Sequence, residues 1–457
     1  MKIAAHTLGC KLNYAETSDL LRRLGEEGHI IVDFHTAADL YIVNTCTVTA
    51  VAEKKCRTAI RQAHRQNPEA QIVVMGCFAQ VAATEIEKIP GVTLVLGNDR
   101  KHLLPQLIEV KGSERTNVED DTIVPSLPLT PSHSLSLPNF SLQYSSGDRT
   151  RTFFKIQDGC DYFCTYCAIP YARGRSRSAT IEETLCSARR IASSGAKEVV
   201  LTGVNTGTFG QHQGESFLEL LVQLDKLDDI LRYRISSIEP NLLTDNIIDF
   251  VASSRAFLPH FHIPLQAGSD HVLQLMHRRY DTALYASKLE YIKKVMPDAC
   301  IAADIMAGFN GESEEEFRKT LDFVSSLPIS YLHVFTYSDR PDTAALRLGE
   351  KIPVSVRHEH TARLLELSEK KHKEFIASQL GQRRPVLWES KQVDKSNVNK
   401  LIYSNDNLST YQHISLSTLM EGYTDNYIRL SRPYDPALAN TVTLEEIRPE
   451  NILLQLL

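Results

Sequence analysis

Short β-branched runs alternate with helical patterns along most of this chain, and that rhythm constrains its fold more than any other feature. In residues 1–111 the runs are IAAHTL, DLYIV and QIVVM, followed by helical stretches such as ETSDLLRRLGEEG and VAEKKCRTAIRQAHRQ. A crossover helix returns the chain to the same end of a sheet, so strands alternating with helices pair in parallel. An open parallel α/β sheet is therefore predicted for 1–111. The rhythm returns in 148–381, where FFKIQ, EVVLTG, YRISSI, FHIPL, IAADIM and YLHVFTY predict a partial barrel of six strand–helix units. The amphipathic pattern RHEHTARLLELSEKKHKEF closes this region, and its charges and its histidines are expected to face solvent.

Two segments break the rhythm. Residues 112–147 hold Pro125, Pro128, Pro131 and Pro138 and the acidic run Glu119, Asp120, Asp121, and they read as a linker. In 382–449 the short runs PVLWES, NKLIYS, YQHISL, NYIRLS and TVTLEEI, separated by polar turns, predict a small antiparallel β-barrel. The fold class is thus α/β, with an N-terminal open sheet, a central partial barrel and a small β-domain.

The chain opens with MKIAAHTLGC, which has no apolar signal region, and no apolar run is long enough for a bilayer. A cytoplasmic protein without a membrane partner is expected. Its nine cysteines then stand in a reducing compartment, where metal ligation or burial is expected rather than disulfides. A net charge of −6 does not announce a nucleic-acid binder. Residues 149–178 differ: Arg149, Arg151, Lys155, Arg173, Arg175 and Arg177 stand against only Asp158 and Asp161.

The stretch DGCDYFCTYC lies in this basic segment and places Cys160, Cys164 and Cys167 at a C-x3-C-x2-C spacing with no fourth cysteine nearby. A tetrahedral zinc site needs four ligands, and disulfides consume cysteines in pairs. Three thiolates suit a 4Fe–4S cluster whose fourth iron stays open for a substrate or cofactor. The stretch follows the first strand of the six-unit series, at the carboxyl face where barrel active sites lie. A second triad emerges from topology. Cys10, Cys46 and Cys77 each follow one of the three N-terminal strands, and the carboxyl ends of parallel strands share one edge. Cys56, Cys186 and Cys300 fit neither triad and are expected to be structural.

C-x3-C-x-aromatic-C, formed by Cys160, Cys164, Tyr166 and Cys167, resembles the signature of radical S-adenosylmethionine enzymes. LGCKLNYAET (8–17), NTCTVT (44–49), MGCFAQ (75–80), KIQDGCDYFCTYC (155–167), RGRSRS (173–178), LTGVNTGTFG (201–210) and IPLQAGSD (263–270) look like successive motifs of the methylthiotransferases. EGYTDNY (421–427) is similar to their terminal RNA-binding TRAM barrel. Lys11 after Cys10 resembles the tRNA branch acting on N6-threonylcarbamoyladenosine, where the isopentenyladenosine branch reads GCQMN and the ribosomal-protein branch GCPKN.

The resemblance implies two 4Fe–4S clusters. One, on Cys160, Cys164 and Cys167, generates a radical from S-adenosylmethionine. The other, on Cys10, Cys46 and Cys77, carries the sulfur. S-adenosylmethionine serves as methyl donor and radical source, and a methylthio group replaces the C2 hydrogen of the modified adenosine at tRNA position 37. The implied partners are the tRNA anticodon stem-loop and an external one-electron reductant, with the chain acting as a monomer. Tyr166, Gly203, Val204, Asn205, Glu239, Gln266 and Gly308 are expected around S-adenosylmethionine, with Gly308 and Gly311 giving close backbone approach. Arg173, Arg175 and Arg177 are candidates for RNA phosphates, and one of them or Arg279 for the threonyl carboxylate. Rival readings keep the reaction on isopentenyladenosine or a ribosomal protein, or make the chain a metal-stabilised RNA-binding module. The segment 335–345 departs from the family pattern at Thr336, Asp339 and Asp342, which puts that loop's geometry in question.

Overall fold

The computed structural model describes residues 1–112, 140–147, 150–389 and 419–453. The first sheet contains β1 (Lys2–Thr7), β2 (Ile30–Val32), β3 (Leu40–Thr45), β4 (Gln71–Gly76) and β5 (Val92–Leu96). They pair in parallel in the order β2-β1-β3-β4-β5. Every residue of β3 is buried, which is why LYIV reads as a continuous apolar run. The order reverses between β1 and β3, and the carboxyl ends open a crevice at such a switch point. Cys10 leaves β1 as the residue preceding α1 (Lys11–Glu26), and Cys46 leaves β3 ahead of α2 (Ala50–Gln66). Cys77 opens α3 (Cys77–Val81) directly after β4.

The second region contains β6 (Gln143–Tyr144), β7 (Arg151–Lys155), β8 (Gln157–Asp158), β9 (Arg177–Ser178), β10 (Glu198–Thr202), β11 (Arg232–Ile235), β12 (His260–His262), β13 (Cys300–Ala307) and β14 (Tyr331–Thr336). β7, β10 and β11 run in parallel, as do β12, β13 and β14. Backbone bonds from Tyr233 N–H to Ala256 O (2.8 Å) and from Ile238 N–H to His262 O (3.1 Å) bridge the two halves. All six expected strands form. FFKIQ divides, because Gln157 and Asp158 leave β7 and pair with β9 across the base of the cysteine loop.

The helix Val354–Gln379 closes the barrel, but not all its charges face solvent. Arg357, His360 and Lys371 are buried. His360 stacks on Phe317 at 3.6 Å between Glu312 and Glu314, and Lys371 caps the carbonyls of Ser325 and Leu327 at 3.0 and 2.7 Å. Polar side chains survive on the buried face because fixed acceptors await them there. Cys56 and Cys300 are buried as expected, whereas Cys186 is exposed.

The tail forms an antiparallel sheet of β15 (Arg383–Trp388), β16 (Leu419–Thr424), β17 (Arg429–Pro433) and β18 (Val442–Glu446), in the order β17-β16-β15-β18. β16 was not legible as a strand, because Gly422 interrupts its apolar pattern. That glycine lets β16 pass Trp388, whose ring a Cβ would meet at 2.7 Å. NKLIYS, YQHISL and the prolines and acidic run of the expected linker lie outside the described residues. No helix among the described residues is long and apolar enough to cross a membrane.

A buried ionic cluster joins the first sheet domain to the barrel. Glu16 of α1 pairs with Lys101 at 2.5 Å, Lys155 at 2.8 Å and Arg173 at 3.2 Å. Asp158 pairs with Arg173 at 2.8 Å, Lys155 at 3.0 Å and Arg177 at 3.0 Å. These cations overcome the burial that opposes ionisation and hold both carboxyls far below their ordinary range. The stabilisation is therefore complete above the unfolded-chain values, 4.5 for Glu16 and 3.8 for Asp158, and is lost progressively as pH falls below them. Glu16→Gln should lower the unfolding free energy by about 3–5 kcal/mol, because it strands buried cations. Denaturant titrations at pH 7 and below 4.5 should show that the variant loses less stability on acidification than the wild type does.

Candidate functional site

Both cysteine triads assemble in the fold. Gly9, at φ +106°, packs against Cys46: a Cβ there would stand 2.8 Å from the Cys46 Cβ and 3.0 Å from its Sγ. Asn13 ties this crevice together. Its Nδ2 donates to the carbonyls of Leu8 (2.8 Å) and Thr45 (3.0 Å), one on each side of the switch point. Its Oδ1 accepts from Arg173 at 2.5 Å. Asn98 Nδ2 lies 3.5 Å from Cys77 Sγ and also donates to the carbonyl of Ala172 at 2.8 Å.

In the second triad, a Cβ on Gly159 (φ +71°) would collide with the carbonyl of Arg175. Cys160 N–H donates to the Gly174 carbonyl at 3.0 Å, and Cys167 N–H to that of Cys164 at 3.0 Å. Arg278 Nη1 reaches Cys164 Sγ at 3.2 Å and Tyr166 Oη at 3.4 Å, while Nη2 pairs with Glu239.

The donor set decides what the site fits. Among the described residues all the cysteines are free thiols. Burial, reinforced by neighbouring thiols, pushes Cys46 up to about 12 and Cys160 up to about 11. Cys164 and Cys167 are raised too, mainly by burial. Such thiols keep their protons until a metal displaces them. Cations stand ready for the thiolates. Arg173 lies beside Cys10 and Cys77, and Arg278 beside Cys164. The ionic cluster next to the first triad holds four cations for two carboxylates, an excess that suits an anionic thiolate-bound cluster. The residues fit two three-thiolate iron–sulfur clusters.

A cavity of about 520 Å³ lies between the domains. Gly9, Cys10 and Lys11 line it from the first sheet, Thr202, Gly203, Ser236, Ser237, His262, Asp304 and His333 from the barrel, and Tyr423, Tyr427 and Arg429 from the tail. A second pocket of about 210 Å³ is lined by Tyr166, Cys167, Gln266 and Arg340 and shares Asp304 and Phe335 with the first. One cysteine from each triad, Cys10 and Cys167, thus borders adjoining spaces.

Several residues named from the sequence lie at or near these pockets. Gln266, at φ +68°, lines the smaller pocket with Tyr166, and Gly203 lines the larger. Asn205 is 2% exposed and stands beside Tyr162. Its backbone N–H donates to Gln157 at 2.9 Å. Val204 is half-buried beside it. Glu239 stands next to the Cys160–Cys164 loop, held by Arg278.

Others do not. Arg173 is 1% exposed and locked in the ionic cluster, so it cannot reach an RNA phosphate. Arg177 donates to Asp158 and to the Arg173 carbonyl, the latter at 2.6 Å, and serves the same cluster. Gly308 faces protein: a Cβ would stand 2.8 Å from the Arg357 Cβ, so the glycine admits the closing helix rather than a cofactor. Gly311 likewise meets Leu275 at 2.9 Å. Arg175 and Arg279 are exposed, on Phe163 at 4.6 Å and Tyr162 at 4.1 Å, both beside Asp161.

Several residues escaped the sequence reading. His262 bridges Ser237 (3.0 Å) and Asp304 (2.8 Å), and His333 joins them within 4.8 Å. Burial and His262 hold His333 down to about 4. Inward alternation along FHIPL, IAADIM and YLHVFTY was the available signal. Arg340, in the departing 335–345 segment, pairs with Glu53 at 2.6 Å and reaches the carbonyl of Thr47 at 3.4 Å, so that loop clasps the residues after Cys46.

The comparisons with known proteins agree with this geometry. Residues 2–97 match the uncharacterized protein family UPF0004, and residues 154–324 match the radical SAM superfamily. The threonylcarbamoyladenosine tRNA methylthiotransferase MtaB of Bacillus subtilis is 36% identical over 94% of this chain and 89% of its own length. Its counterpart in Aquifex aeolicus is 38% identical over 83% of this chain and 91% of its own. This chain belongs to the radical S-adenosylmethionine tRNA methylthiotransferases. The family implies 4Fe–4S clusters and S-adenosylmethionine as cofactors. A solved radical S-adenosylmethionine methyltransferase, TsrM from Kitasatospora setae, shares the fold with a TM-score of 0.54 and 15% identity over 73% of this chain and 72% of its own.

Gly159→Ala should displace the backbone that carries Cys160. Iron analysis after anaerobic reconstitution should find about eight irons in the wild type and about four in the variant, with the first triad still loaded.

Proposed function

We propose that this methylthiotransferase modifies C2 of N6-threonylcarbamoyladenosine at position 37 of the tRNA anticodon stem-loop. The observation that carries the reading is the placement of Cys10 and Cys167 on adjoining pockets that share Asp304 and Phe335. A reaction that removes hydrogen from a carbon and delivers sulfur to it needs both centres within reach of one atom.

When bound, the clusters and S-adenosylmethionine supply radical generation, the methyl group and the transferred sulfur. Cys160, Cys164 and Cys167 would hold one cluster and Cys10, Cys46 and Cys77 the other. The chain's remaining groups bind and orient. Gly203, Asn205, Gln266 and Tyr166 lie where S-adenosylmethionine would contact the barrel. Arg278 pairs with Glu239 and reaches Cys164 Sγ at 3.2 Å, so a change in charge at the second triad is felt by a fixed guanidinium. Tyr423 and Tyr427 bring aromatic faces to the larger cavity, suited to stacking an unpaired base. Arg175 and Arg279, exposed on the cysteine loop and beside it, suit phosphates. The tail sheet acts as a TRAM-like RNA-binding domain. The enzyme works as a cytoplasmic monomer and takes electrons from an external one-electron reductant.

Nucleoside mass spectrometry tests the reading on tRNA from a host that lacks its own methylthiotransferases. Expression of this protein should produce the 2-methylthio derivative of threonylcarbamoyladenosine, and Cys160→Ala and Cys10→Ala should each abolish it. Appearance of the isopentenyl derivative alone would reassign the substrate.

A further inference from the structure

The large cavity has a neighbouring lobe of about 420 Å³, lined by Tyr14, Arg151, Arg234 and Ile235 among others. Cys10, Lys11, His260 and Tyr427 line both lobes. We propose that Lys11 and His260 form the subsite for the carboxylate of the substrate's threonyl group, an assignment that rests on threonylcarbamoyladenosine being the substrate.

The cations of the two lobes are committed elsewhere, with one exception. Arg234 bonds Glu198 and the carbonyls of Thr424 and Asp425, each at 2.8 Å. Arg151 pairs with Glu389 at 3.1 Å and covers the Tyr423 ring at 4.3 Å. Arg429 is held by Glu421. Lys11 has no carboxylate partner among the described residues. Asp304 is the one carboxylate lining either lobe; its Oδ1 bonds His262, and Lys11 acts on it only at longer range, against the several cations that line the two lobes. The space beside Lys11 therefore favours an anion.

His260 points to a ligand independently. It is 7% exposed, and neither ring nitrogen has a hydrogen-bond partner. Its ring lies 4.5 Å from that of Tyr427. A buried imidazole with both nitrogens idle is costly unless something fills the place beside it. Burial, with Arg234 and Lys11 nearby, holds it in the neutral form. It then offers one N–H to a carboxylate without adding a second charge.

The chemistry of the substrate fits this position. The threonyl group hangs from N6 through a urea, whose outer N–H faces N1 of the base. The carboxylate therefore lies on the same edge as C2. Lys11 directly follows Cys10, so an anion held there turns C2 toward the first triad. An adenosine without the carboxylate would leave Lys11 and His260 unpaired, which is how a built polar site rejects the analogue. Arg173, Arg175, Arg177 and Arg279 are thereby replaced as candidates for this contact.

The test uses reconstituted enzyme and anticodon stem-loop RNAs that carry threonylcarbamoyladenosine or its methyl ester, which keeps the shape and removes the charge. Wild-type enzyme should bind the acid about tenfold or more tighter than the ester. Lys11→Gln and His260→Phe should each reduce that ratio, Lys11→Gln to near one. Circular dichroism melts identify any variant that has not folded, and the other then carries the comparison. If wild-type enzyme methylthiolates the acid but binds both RNAs alike, or if both folded variants keep the full ratio, the subsite is wrong. If wild-type enzyme methylthiolates neither RNA, the substrate reading itself fails.

Discussion

Glu16 and Asp158 sit at the point where the first sheet domain meets the barrel, and the site depends on what they hold. Four cations from three stretches, Lys101, Lys155, Arg173 and Arg177, converge on these two buried carboxylates. Each group is costly to bury alone, so the cluster tolerates no partial assembly. Arg173 extends it to Asn13, which spans the loops of Cys10 and Cys46. The interaction that docks the domains is thus also the one that positions the first triad.

This arrangement explains why a net acidic protein carries a basic stretch through its cysteine loop. Arg173 is an interior counter-ion beside Cys10 and Cys77, and the half-buried Arg177 completes the pairing of Asp158. On the opposite side of the loop Arg278 gives the second triad a similar cation, shared with Glu239. Arg175 and Arg279 are the exposed cations beside the loop, and the tail brings Tyr423 and Tyr427 to the cavity. Arg232 and Arg234 fix those tyrosines through hydrogen bonds to the backbone of Tyr423, Thr424 and Asp425.

The cavity is built by all three parts of the chain. The first sheet brings Cys10 and Lys11, the barrel brings His262, Asp304 and His333, and the tail brings Tyr423 and Tyr427. Such a site forms only when the parts are docked, which gives the buried charges a functional consequence beyond stability.

The sequence by itself determined the strand–helix alternation and the placement of six cysteines at the carboxyl ends of strands. The alternation follows from periods of two and 3.6, and the Cys160, Cys164 and Cys167 set from a spacing that fits one loop, whereas Cys10, Cys46 and Cys77 are placed by the shared carboxyl edge of a parallel sheet. It also singled out Gly308 and Gly311, but not what they faced, and it passed over Gly9 and Gly159. Gly308 was legible as a close approach, and only packing showed that the approach is to Arg357. An arginine's sequence context does not say whether its partner is a phosphate or a carboxylate 157 residues away, as for Arg173 and Glu16. That choice is made by tertiary structure, because burial and charge pairing depend on distances that local pattern does not encode.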